Sequence, residues 1–179
     1  MQATKGVSSH PTPYVGKSHA EVSEGEFFKT FGVNQVKRIG CGEFVYSENW
    51  SITSYDIGDS ITVFAVEKKG SSIEAIMGWH LGGGCSVEEI QLQLNEFADK
   101  DRNSNLYIIG GAQHTTEGPE CLLANIKAAI EGFFIADVKI LKELVSLNAG
   151  MREHFVSANL QMDGTLTYCR HVYAHGSGG

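Results

Sequence analysis

The feature that most constrains this fold is a pair of apolar runs, residues 60–66 and 73–80, on either side of a short polar stretch. The first run, Ser60-Ile-Thr-Val-Phe-Ala-Val66, is β-branched and aromatic, and the second, Ile73-Glu-Ala-Ile-Met-Gly-Trp-His80, resumes the pattern after Lys68-Lys-Gly-Ser-Ser72. Branched and aromatic side chains pack well on a pleated surface and glycine suits the turn, so the segment predicts an antiparallel hairpin. That hairpin carries a serine, Ser60, at the end of one strand and a histidine, His80, on its partner. The pair frames a nucleophile and a base.

Around the hairpin the chain alternates strand and helix signals. At 179 residues it has enough chain for one domain with a real core. Residues 1–24 hold Gly, Ser, His and all but one of the prolines with almost no apolar periodicity, and read as a flexible N-terminal tail ahead of a domain over 25–174. Glu24 to Phe31 predicts a short helix, with Phe27, Phe28 and Phe31 on one face and Gly32 past its end. Gly82-Gly83-Gly84 breaks the hairpin strand, and Ser86-Val-Glu-Glu89 is a capping box opening a helix to about Ala98. Leu106 to Ile109 is a short apolar strand.

Pro119 suits the first turn of a second helix, where it has no N–H to lose, and Leu122, Leu123, Ile126, Ala129, Ile130 and Phe133 recur at helical spacing. The composition of residues 138–145 permits a helix as well as a strand; Asn148-Ala-Gly150 after it favours a strand and a turn. Residues 155–160 and 166–173 predict a final hairpin through Asp163-Gly164, and residues 175–179 a flexible end. Strands mixed with two long helices make an α+β domain.

A formal charge of −7 argues against nucleic acid, which demands a basic face to neutralise phosphates. No apolar run approaches the ~18 residues needed to span a bilayer, and no charged-then-apolar leader opens the chain, so a soluble, cytoplasmic protein is expected. Cys41, Cys85, Cys121 and Cys169 lack any Cys-x-x-Cys spacing, which implies free thiols rather than a disulfide framework. His80 with Cys85, and His114 with Cys121, lack the short repeated spacing of a zinc site, so neither a metal nor another cofactor is expected.

Serine and histidine twenty residues apart are common, and on spacing alone a strand-start serine and a buried histidine bonded to a carbonyl describe them as well. The surrounding motifs carry more. Gly40-Cys41-Gly42-Glu43, the turn Ile57-Gly58-Asp59-Ser60, His80 on the next strand, and Leu106-Tyr-Ile-Ile-Gly-Gly-Ala112 resemble, in this order, the chemoreceptor glutamine deamidase (CheD) family. The likeness runs from Val36 to Val172, with Ser60 where the family carries its catalytic cysteine and Ser54 at its threonine position.

The resemblance implies a CheD-like β-sandwich with helices packed outside, and it joins Asn148-Ala-Gly150 in making residues 138–145 a strand. It also implies a protein-glutamine deamidase, a hydrolase that turns a glutamine side chain into glutamate and ammonia through a Cys–His dyad. His80 would be the base and acid, and Ser54 would accept its second ring N–H, sharing a strand side with Ser60 because six is an even offset. Backbone N–H groups of Gly58 and Asp59 would hold the oxyanion.

The implied partner is a chemotaxis receptor or, as for the cytotoxic necrotizing factor-type toxin domains that share the general fold, a host protein met by a secreted effector; a regulatory phosphatase is a further one. Two readings of Ser60 stay open: a Cys-to-Ser form of an enzyme, or a natural serine in a catalytically inactive protein-binding module. Cys41 or Cys85 standing in as nucleophile is a third.

Overall fold

The computed structural model describes residues 12–13, 19–32, 36–40, 42–82, 86–95, 103–110, 122–131, 137–144 and 154–172. The strands are β1 (Thr12–Pro13), β2 (His19–Glu21), β3 (Val36–Ile39), β4 (Phe44–Ser47), β5 (Ser51–Ile57), β6 (Ile61–Lys69), β7 (Ser72–Leu81), β8 (Asn103–Gly110), β9 (Asp137–Leu144), β10 (Phe155–Leu160) and β11 (Leu166–His171). The helices are α1 (Glu24–Phe31), α2 (Val87–Asn95) and α3 (Leu122–Glu131).

Among the described residues these strands form two sheets. The first runs β1-β7-β6-β8-β9, with β4 also paired to β7, and the second runs β2-β11-β10-β5-β3. They stack as a sandwich, and two cores follow from the period-2 alternation of β6. Ile61, Val63 and Ala65 point to α2 and α3, where they join Met77, Trp79, Leu81, Ile90, Leu122, Leu123 and Ile126. Phe64 and Val66 point the other way, into a core shared with Ile39, Ile52, Ile57, Ile76, Val156, Ala158 and Leu166. On the outer face of the second sheet α1 buries Phe27 and Phe31 against Cys169. The result is an α+β sandwich with helices on both outer faces.

Local sequence explains the ends of these elements. Ser86 and Glu89 exchange side-chain-to-backbone hydrogen bonds at the start of α2, completing the expected capping box. Ser23 caps α1 by accepting from the Glu26 N–H. Gly70 (φ 65°) and Gly164 (φ 90°) take the left-handed conformation that the two hairpin turns require. The ambiguous segment is strand over residues 138–144, and Val145 lies outside the described residues: β9 lies parallel to β8, with α3 in the crossover that a parallel pair needs. Pro119, the expected end of α2 at 96–98, and residues 175–179 lie outside the described residues.

The N-terminal segment differs from the tail that its composition suggested. Residues 12–13 pair with β7, and residues 19–21 run parallel to β11. The exposed strand β2 is held by backbone pairing and by a bidentate Arg170–Glu21 ion pair at 2.8 and 3.1 Å, so it needs no apolar periodicity.

Candidate active site

Ser60 and His80 meet because of hairpin register. Thr62 of β6 lies opposite His80 of β7, and Ser60, two residues before Thr62, precedes the strand on the same face. That face looks toward the second sheet. Ser60 Oγ is 2.6 Å from His80 Nε2. From the other sheet, Ser54 of β5 brings its Oγ to 3.2 Å from His80 Nδ1 and 2.7 Å from Thr62 Oγ1. Ser60 is 2% exposed, and Ser54, Thr62 and His80 are wholly buried, so the four side chains form one buried polar chain between apolar layers.

Ser54 arrives by a different route from the one the even spacing suggested. Ser54 and Ser60 are on different sheets, separated by the turn at 58–60 and by a β-bulge. Ile57 faces Val156 and Ser54 faces Ala158, which leaves Tyr55 and Asp56 together opposite Ser157. A bulge re-aims the strand, and this one turns both Ser54 and Ile57 inward although they are three residues apart. Asp56 takes the left-handed conformation at φ 55°, so the strained residue of the bulge is the aspartate.

Thr62 was missed by sequence reasoning. Its signal was nevertheless present, since it follows Ser60 by two on the same strand and so shares its face. The bulge positions a second buried polar group on the outer face of the second sheet. There the Asp56 N–H donates to Ser157 Oγ at 3.1 Å, and His171 Nε2 lies 2.8 Å from Ser157 Oγ and 3.5 Å from Asp56 Oδ1.

The Gly40 to Glu43 segment holds the backbone of His80. The Gly42 N–H donates to the His80 carbonyl at 2.8 Å, and the His80 N–H donates to the Glu43 carbonyl at 3.1 Å. The Glu43 carboxylate closes the loop by accepting from the Gly40 N–H, and Gly42 sits at φ 81°. With β6 on its other side, His80 is fixed by a ladder on both edges. Gly110, at the end of β8, packs closely on the start of β6: a Cβ there would lie 2.8 Å from Ile61 Cγ1 and 3.2 Å from the Ser60 carbonyl.

Burial pushes the His80 imidazole down to about 4, against weaker upward pulls from Asp56 and Glu43. At neutral pH the ring is uncharged. One ring nitrogen then accepts and the other donates, which is the state a general base requires. Gly58 is buried and Asp59 exposed, so the turn runs from the core to the surface beside Ser60. Cys169 lies on the far side of the second sheet with its thiol pushed up to about 12 by burial. Cys41, Cys85 and Cys121 are outside the described residues. Among the described residues no three His, Cys, Asp or Glu side chains are placed to hold a metal ion, and no helix is long and apolar enough to cross a membrane.

No protein-family model matches the chain, and no curated protein matches it.

Proposed function

We propose that the chain is a protein-glutamine deamidase-like hydrolase with Ser60 in the nucleophile position and His80 as base and acid. The supporting observation is the 2.6 Å contact between Ser60 Oγ and the Nε2 of a buried, uncharged imidazole whose other nitrogen meets a hydroxyl. The substrate class comes from the ordered likeness of residues 36–172 to the CheD family.

Chemistry follows from the placement. Ser60 Oγ attacks the carboxamide carbon while its proton passes to His80 Nε2. The tetrahedral oxyanion is met by backbone N–H groups of the 58–60 turn. His80 returns the proton to the departing nitrogen, releasing ammonia and leaving a glutamyl ester on Ser60. Water, deprotonated by the same Nε2, then cleaves the ester to glutamate and restores the serine.

A hydroxyl is a poorer nucleophile than a thiolate, so Ser60→Cys raises the rate. The test is mass spectrometry of a panel of candidate proteins incubated with the unaltered chain, Ser60→Cys, and Ser60→Cys with His80→Ala. A glutamine-to-glutamate mass increase that appears or grows with cysteine and vanishes with alanine is the expected result. A second reading, a catalytically inactive module that docks a protein partner, draws on the near-complete burial of Ser60 beside the exposed Asp59. If Ser60→Cys is as inert as the unaltered chain across the panel, that reading replaces the enzyme.

A further inference from the structure

We infer that Thr62 is a positioning residue that selects the tautomer of His80, through Ser54, and so decides whether the Nε2 facing Ser60 can accept a proton. The inference rests on the reading of His80 as the base, but its test needs no substrate.

The Ser54 hydroxyl has one proton and two acceptor positions. It touches two polar side-chain atoms, Thr62 Oγ1 at 2.7 Å and His80 Nδ1 at 3.2 Å, and it is wholly buried. Two arrangements give the Ser54 proton an acceptor among these partners. In one, His80 Nδ1–H donates to Ser54, Ser54 donates to Thr62, and Nε2 is a bare lone pair aimed at the Ser60 hydroxyl. In the other, Thr62 donates to Ser54, Ser54 donates to Nδ1, and the ring proton sits on Nε2, where it points at Ser60 and removes the base. The Thr62 oxygen separates them: as an acceptor for Ser54 it makes the productive tautomer, and as a donor it makes the inert one.

The geometry favours the acceptor role. Of the two ring contacts, 3.2 Å at Nδ1 lies in the range of an N–H donor, and 2.6 Å at Nε2 suits an O–H donated by Ser60 to an imidazole lone pair. Thr62 is held in place because its own backbone pairs with His80 on one side and Ile109 on the other. A threonine that sits directly across the ladder from the base cannot move away from it.

Removing the Thr62 oxygen has a definite consequence. In Thr62→Val the Ser54 proton loses its acceptor, and the remaining polar partner is His80 Nδ1. Either tautomer leaves one hydroxyl without an acceptor, and the cost is greater at the wholly buried Ser54 than at Ser60, which sits beside the exposed Asp59, so the Ser54 hydroxyl turns to the ring and drives the proton to Nε2. Thr62→Ser keeps the oxygen and keeps the tautomer.

The experiment is long-range ¹H–¹⁵N NMR of the histidine rings at pH 7 in the unaltered chain, Thr62→Ser and Thr62→Val, with His80→Gln used to assign the ring. Nδ1–H as the major form in the first two and Nε2–H in the third is expected. Nε2–H in the unaltered chain overturns the inference, and so does Nδ1–H persisting in folded Thr62→Val. If the valine variant does not fold, the tautomer of the unaltered chain and its Ser54→Ala variant decide: Ser54→Ala removes the contact between Thr62 and the ring, and an unchanged pure Nδ1–H population there shows that the relay does not set it. A panel of proteins left unmodified by every variant sinks the deamidase reading and leaves this measurement standing.

Discussion

His80 is costly to protonate because its ring is sealed between two sheets, and this has a measurable pH signature. Its folded pKa of about 4 lies below the ordinary 6.5, so as pH falls the unfolded chain binds the proton first. The stability present above 6.5 is lost between 6.5 and about 4, by about 3 kcal/mol in all. Urea unfolding at pH 7 and pH 4.5 should show a larger fall for the unaltered chain than for His80→Gln. Asp56 pulls the imidazole upward, so Asp56→Asn, which tolerates the left-handed backbone, should move the NMR titration of His80 lower still. Cys169, its thiol held near 12, should react with a disulfide reagent at pH 8 only as fast as the fold opens. At this scale Ser60 and His80 were legible because the hairpin pattern alone brings them close. Ser54 was legible only through resemblance, since nothing in the spacing announces the bulge at Tyr55 and Asp56.

Among the elements, β7 bears the tightest constraints. Gly78, two residues before His80 on the same face, faces Ile39 Cδ1 so closely that a Cβ cannot fit unless that group moves, and Phe64 Cδ1 stands 3.2 Å away. Gly78→Ala should cost about 1–3 kcal/mol in chemical denaturation, and less in an Ile39→Val background where the offending methyl is gone. Gly42, at φ 81° and bonded to the His80 carbonyl, should tolerate Asn and lose about 1 kcal/mol on replacement by Ala. Most elements were readable from period and caps, as at Ser86 and Glu89. Residues 19–21 were not, because a strand that joins a sheet edge through its backbone leaves no mark in the apolar pattern.

At the scale of the whole molecule, contacts across the sandwich tie the two sheets. The Tyr107 hydroxyl on β8 donates to the Gly164 carbonyl in the β10–β11 turn at 3.2 Å, and Tyr107→Phe should lower stability by about 1 kcal/mol without moving the His80 resonances. Layering was legible in outline from strands mixed with helices. The order of strands was not, because pairing β5 with β10 joins residues that lie about a hundred positions apart, beyond any local signal. That pairing also sets a schedule. Ser54 lies on a strand flanked by β3 and β10, so its seat is complete only when the C-terminal hairpin has been added. During synthesis the hairpin that bears Ser60 and His80 leaves the ribosome well ahead of residues 155–171. A nascent chain therefore holds Ser54, Ser60 and His80 before the strand that completes the seat of Ser54, and the contact between Ser54 and the His80 ring is secured only when the last strands are in place.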